Sequence, residues 1–183
     1  MENLILKSSN EVKINDFKRI LGDQLKIEKG EDIPEVDSNV LNVIIYKSIA
    51  AGKNVIVEDT TLTIDGEEIV DIKWKINSLK NNNSLTPASW KTYIAVNDGQ
   101  FIRIYEGIVN GVIVPDSKDN GYGFDPYFLP DGSDVTLAVL AQEGNKDKFS
   151  ARQKALTNFI SNNLFDKVEI KDIPEWNGKY QNQ

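Results

Sequence analysis

Val55-Ile56-Val57 is a run of three β-branched residues with no polar residue alternating among them, and it leads directly into Glu58-Asp59-Thr60-Thr61. Such a run reads as a strand buried on both faces, the kind that belongs to an α/β sheet covered by helices. Carboxylates at the C-terminal end of a buried strand stand where open α/β sheets build their sites. Taken alone, the same four residues also read as an acidic turn that ends a strand.

The flanking sequence supplies helices for such a sheet. Leu4 to Lys7 reads as a short buried strand, Ser8-Ser9-Asn10 breaks it, and Ile14, Phe17 and Leu21 then recur at spacings of three and four, the period of a helix. Asn10 is a natural N-cap and Gly22 a natural stop. A strand, a polar turn and a helix N-terminus in this order form a common phosphate cradle, because free amides and the helix dipole converge on an anion. A capped helix without a ligand fits the segment as well. A second strand is expected over 24–28, a turn at Ile33-Pro34-Glu35, and a helix over 38–51 with Val40, Leu41, Ile44, Ile45, Ser48 and Ile49 as its buried face and Gly52 closing it.

Further along, Ile72, Trp74, Ile76 and Leu79 mark a short amphipathic segment within 71–80, and 80–84 is a loop. Strands over 93–96 and 101–105 flank Asn97-Asp98-Gly99 and read as a hairpin, since Asp-Gly tolerates the positive φ of a tight turn. A separate strand over 107–114 extends this into an antiparallel meander, and Ser150 caps a last helix carrying Ala155, Leu156, Phe159 and Ile160. The expectation is one domain over 1–183, its chain from about residue 172 a peripheral tail.

Composition narrows the chemistry. The 183 residues include no cysteine and no histidine, so thiol nucleophiles, disulfides, Cys/His zinc sites and Ser-His triads are excluded. Carboxylates, lysines, arginines, hydroxyls, backbone amides and an oxygen-liganded cation such as Mg²⁺ remain. The net charge of −7 disfavours a broad grip on a nucleic acid polymer, while local cations still allow a small anionic substrate. Without an apolar run near ~20 residues or a leader-like N-terminus, the chain reads as soluble, unprocessed and cytoplasmic.

Gly121-Tyr122-Gly123-Phe124-Asp125-Pro126-Tyr127-Phe128 is followed by Lys146 and then by Phe149-Ser150-Ala151-Arg152. Aromatic residues beside an isolated carboxylate and two later cations are what a site needs to grip a base and its phosphates. Alone, the aromatics read as core packing, Asp125 as a turn residue, and Lys13 and Lys146 as solvated surface.

In order, these pieces resemble the inosine triphosphate pyrophosphatase family, over roughly residues 4 to 160. Its opening Thr-Gly-Asn-x-x-Lys loop is matched by Ser8-Ser9-Asn10-Glu11-Val12-Lys13, its Pro-Glu by Pro34-Glu35, its Val-Glu-Asp-Ser-Gly by Val57-Glu58-Asp59-Thr60-Thr61, and its Gly-Phe-Gly-(Tyr/Trp)-Asp-Pro-x-Phe by residues 121–128, with Thr136 and Lys146 beyond. The resemblance implies an elongated α/β fold, a long mixed sheet with flanking helices forming two lobes around a central cleft. It implies a homodimer, and hydrolysis of non-canonical purine triphosphates (ITP, dITP, XTP) to monophosphate and pyrophosphate. It implies Asp59 as base or metal-linked carboxylate with Glu58 in support, and Glu35 with Asp59 as ligands of Mg²⁺. Lys13 and Lys146, with the amides of Ser8, Ser9 and Asn10, would hold the phosphates, Tyr122 and Phe124 would stack on the base, Asp125 and Arg152 would address its hydrogen-bonding edge, and Thr60 and Gly123 would also contact the substrate.

Departures are concentrated on the base. Ser-His-Arg of the family stands here as Ser150-Ala151-Arg152, Arg-Gly before the aromatic motif as Ser117-Lys118, and the Glu of Thr-x-Ala-Glu as Val139. A loop glycine is Ser9, and a Pro-Gly turn is replaced by Glu68-Ile69-Val70. An enzyme retuned to an ordinary or modified nucleotide, or a nucleotide-binding protein without turnover, are the alternatives.

Overall fold

The computed structural model describes residues 4–22, 25–28, 33–69, 72–80, 85–121 and 123–181. The architecture is mixed α/β, with an eight-stranded sheet. Its elements are β1 (Leu4–Lys7), α1 (Glu11–Leu21), β2 (Leu25–Glu28), α2 (Val40–Ala51), β3 (Val55–Ile64), β4 (Glu67–Glu68), α3 (Ile72–Leu79), β5 (Thr86–Asn97), β6 (Phe101–Ile113), β7 (Phe128–Pro130), α4 (Leu137–Gln142), α5 (Ala151–Ile160) and β8 (Asp166–Glu169). The strand order is β2-β1-β3-β5-β6-β7, with β4 on β3 and β8 on β6. β1 pairs in parallel with β2 and β3, whereas β4, β7 and β8 pair antiparallel. Among the described residues no helix is long and apolar enough to cross a membrane.

The chain forms two compact units, the first from 1–59, 92–106 and 155–183, the second from 60–91 and 107–154. In the first unit β3 is covered on both faces, as its composition demands. Val55 and Val57 pack with Ile44 of α2, while Ile56 between them packs with Phe17 of α1 and Phe159 of α5. Successive strand side chains alternate sides, so three consecutive apolar residues need two covering layers. In the second unit Leu62 and Ile64 of the same strand join Ile76, Phe124, Phe128, Leu137 and Leu140 in another core.

Several sequence expectations give way here. β3 does not end at Val57, so Glu58 and Asp59 lie inside a ten-residue strand; Thr60, Thr61 and Thr63 are β-branched and extend it. The strands expected over 101–105 and 107–114 are one, β6, uninterrupted at Gly107. β5 starts seven residues before position 93, at Thr86. α2 begins at Val40 with Asn39 as its cap, whose side chain accepts the Asn42 amide at 3.0 Å. On α3, Ile76 is buried as expected but Trp74 is 69% exposed. The expected readings at Gln24, Val70 and Asp71, and the loop at 81–84, lie outside the described residues.

Candidate active site

Asn10 caps α1 as its residue type predicts. Its Oδ1 accepts the Val12 amide at 3.0 Å and the Lys13 amide at 3.2 Å, and Ser8 Oγ accepts the amide of Asn10 itself at 3.1 Å. The loop 8–10 therefore engages much of its own donor set, with Ser9 exposed at its crest. Lys13, in the first turn of α1, reaches β3, where its Nζ sits 2.5 Å from Glu58 Oε2 and donates to the Glu58 carbonyl at 3.2 Å. The Glu58 carboxylate is fully buried, and a charge taken that far from water has to be held by a counter-charge.

A second ion pair forms beside it. Lys47 of α2 pairs with Glu35, both more than half buried. A polar cavity of about 50 Å³ is lined by Ser8, Lys13, Glu35, Lys47 and Glu58. Sequence reasoning missed Lys47, although a signal was present: it is the only charged residue in the twelve of α2, VLNVIIYKSIAA. An apolar helix tolerates a lone ammonium where an anion waits for it.

Asp59 follows directly on β3 and is partly buried. Burial, first of all, pushes its carboxyl up to about 6; Glu35 and Glu58 push the same way, while Lys47 and Lys13 oppose them. The outcome is a carboxylate whose proton affinity lies near neutral pH, the range a general base uses. Among the described residues, no three acidic side chains come together as a self-sufficient metal cage. The donors nevertheless suit a hard cation of the Mg²⁺ kind, which is commonly held by one or two carboxylates and completed by substrate phosphates. Glu35 and Glu58 line the same polar cavity and both act on Asp59, and that gathering of negative charge is the observation that fits one.

In the second unit Gly123 and Phe124 form a turn that leads into a 3₁₀ turn over Asp125–Tyr127 and strand β7. The two glycines of the motif 121–128 have separate causes. A Cβ on Gly121 would stand 2.7 Å from the Ala138 Cβ, and Gly123 adopts φ +55°, a conformation that side chains resist. Tyr122 lies outside the described residues. Phe124 is 2% exposed in the core, its ring 5.6 Å from that of Trp90, so it offers no open face. Asp125 is buried too, and its Oδ2 is 2.5 Å from Lys146 Nζ, so these two expected substrate contacts hold each other. Thr60 on β3 and Arg152 in the first turn of α5 are half-buried. Ala151, at the family's histidine position, is 3% exposed and belongs to the same core as Phe124.

Comparison with known proteins agrees with the resemblance read from the motifs. The Ham1 family model matches residues 4–162. The chain is similar to the inosine triphosphate pyrophosphatase of Schizosaccharomyces pombe, 30% identical over 78% of this chain and 86% of that protein. It is also 30% identical to the dITP/XTP pyrophosphatase of Staphylococcus aureus, over 85% of this chain and 93% of that one. Its fold superposes on the structure of the Staphylococcus aureus Ham1 protein with a TM-score of 0.69 and 25% identity, covering 88% of this chain and all of the other.

Proposed function

The chain belongs to the Ham1 family, and from that premise we propose that it hydrolyses purine nucleoside triphosphates such as ITP, dITP and XTP to the monophosphate and pyrophosphate. The observation that carries the reading is Asp59, raised to about 6 among Glu35, Glu58, Lys47 and Lys13. In the proposed reaction a water oxygen forms a bond to the α-phosphorus as the bond to the α,β-bridging oxygen breaks. Pyrophosphate leaves with that bonding pair, and the water's proton passes to the Asp59 carboxylate. Lys13 and Lys47 supply positive charge for the phosphate oxygens, each by exchanging a carboxylate partner for a phosphate one. Ser8, Ser9 and Asn10 present the N-terminal turn of α1 to the same anion. Glu35 and Asp59 would hold a divalent cation, which we take as Mg²⁺, and when bound it supplies charge neutralisation and Lewis acidity.

Base selection is assigned to Gly123, Asp125 and Arg152, with Lys146 fixing Asp125. Burial of both Phe124 and Ala151 supports a second reading, a pocket retuned to a base other than hypoxanthine or xanthine, because neither residue offers the base a surface or a hydrogen bond.

Pyrophosphate release across ITP, dITP, XTP, GTP and ATP, with Mg²⁺ and with EDTA, tests both. Pyrophosphate from ITP or XTP that stops in EDTA is the expected result. Release of orthophosphate, or full activity in chelator, would refute the mechanism, and stronger turnover of GTP or ATP than of ITP moves the second reading to first place.

A further inference from the structure

Residues beyond 162 lie outside the match to the family model, yet they are bound tightly into the first unit. The Phe165 amide bonds to the Ile104 carbonyl at 2.8 Å and β8 pairs with β6. Past Ile173 the chain runs on as a strap. Tyr46 on α2 donates its hydroxyl to the Pro174 carbonyl at 2.9 Å and sets its ring 5.2 Å from that of Trp176. The Trp176 indole N–H donates to the Lys179 carbonyl at 3.0 Å, closing a turn. Tyr180 then bridges Val36 in antiparallel fashion, the Asp37 amide donates to the Lys179 carbonyl at 2.9 Å, and the Gln181 amide donates to the Glu35 carbonyl at 2.8 Å. Gln181 Nε2 adds a bond to the Val36 carbonyl at 3.2 Å.

We propose that residues 174–181 are a positioning strap for Glu35, and that the protein's affinity for its divalent cation depends on them. The inference rests on Glu35 as a cation ligand. In an extended segment neighbouring side chains point to opposite sides. Val36 is 1% exposed, anchored inward, and the strap bonds the backbone on both sides of it, so the direction left to the Glu35 carboxylate is the one that meets Lys47. Pairing on the strap side satisfies the Glu35 carbonyl and the Asp37 amide, and gives the Val36 carbonyl, which also accepts the Ser38 amide at 3.1 Å, a second donor; together these bonds hold the short segment against turning. Partners behind a ligand typically tune metal affinity by about 10–100-fold when removed.

The test compares the full chain with a chain ending at Ile173, with Trp176→Ala in the full chain, and with Glu35→Gln. Mn²⁺ binding in the presence of pyrophosphate, followed by electron paramagnetic resonance, gives a readout independent of turnover; hydrogen exchange at the Asp37 amide and the Mg²⁺ concentration for half-maximal rate accompany it. Expected for both strap variants are faster exchange at Asp37, roughly tenfold weaker cation binding, and a kcat restored to within about twofold at saturating Mg²⁺. If the truncated chain does not fold, Trp176→Ala carries the comparison. Unchanged cation affinity in the strap variants beside a weakened Glu35→Gln overturns the strap alone. Unchanged affinity in Glu35→Gln overturns the reading of Glu35, and the proposal with it. A rate loss that Mg²⁺ does not restore also overturns it.

Discussion

Each unit buries a carboxylate against a lysine, and the two pairs are differently completed. In the second unit Asp125 and Lys146 stand 2.5 Å apart with Lys146 half in water, one anion matched by one cation. In the first, Glu58 pairs with Lys13 and Glu35 with Lys47, and a third carboxylate, Asp59, feels all four charges and is pushed up to about 6, chiefly by burial. Balanced charge holds a turn in place; a surplus anion is a group ready to accept a proton or to share a cation. On this difference rests the proposal that Asp59 does the chemistry.

Four experiments bear on the contrast, in falling order of effect. Asp59→Asn should lower kcat by about 10²–10⁴-fold, the usual worth of a positioned proton acceptor. Steady-state kinetics with ITP decide it, and a variant retaining more than about a tenth of the rate ends the assignment.

The lysines should differ in structural worth. Lys13→Met removes the ammonium held against the fully buried Glu58 carboxylate and should cost about 3–5 kcal/mol. Lys146→Met leaves Asp125 beside a position that water already reaches, and should cost about 1–2 kcal/mol. Urea unfolding of both variants measures the gap; equal losses would mean that the two pairs are equivalent after all.

The pH dependence carries a definite sign. A carboxyl near 3.9 when unfolded and about 6 when folded favours folding in its protonated form. That contribution is complete below about pH 4 and is lost as the pH rises through 6. In chelator, Asp59→Asn should therefore be more stable than the parent by up to about 3 kcal/mol at pH 7.5 and no more stable at pH 4. Thermal melts at the two pH values check it, and an asparagine variant that gains nothing at pH 7.5 would remove the surplus charge from the comparison.

Smallest is Ala151→His. Because Ala151 is buried in the core with Phe124, the larger ring should cost about 1–3 kcal/mol by overpacking. If the chain melts unchanged and its kcat/KM for ITP over GTP rises, the pocket still has room for the family's imidazole and the retuned reading weakens.

Local chemistry explains which parts were legible in the sequence. The cap at Asn10, the stop at Gly52 and the two-sided burial of Val55-Ile56-Val57 depend on neighbours within a few residues, and each stands as its residue types predict. The continuation of β3 through Glu58 and Asp59 was hidden because an acidic pair before two threonines reads as a turn until the buried Lys13 contact is known. The strap is illegible for a different reason: its bonds to Glu35 and Asp37 join backbone groups, its bond to Val36 comes from the Gln181 side chain 145 positions away, and peptide groups so far apart carry no sequence signal. The motif 121–128 is legible as a motif while its purpose is not, since glycines and aromatics that serve packing look the same as those that serve a ligand.

The close approach of Gly121 to Ala138 has a consequence for how such sequences can drift. With 2.7 Å between a hypothetical Cβ at 121 and the methyl at 138, the two positions share one methyl's worth of room. Enlarging 121 calls first for a glycine at 138 and also for some give in the Pro126 ring, whose Cγ would stand 3.3 Å away, and any lineage that enlarges 138 commits 121 to remain bare. Substitutions at this pair are therefore ordered in time as well as coupled in energy, and the glycine's persistence among descendants would record a packing history rather than a demand of the substrate.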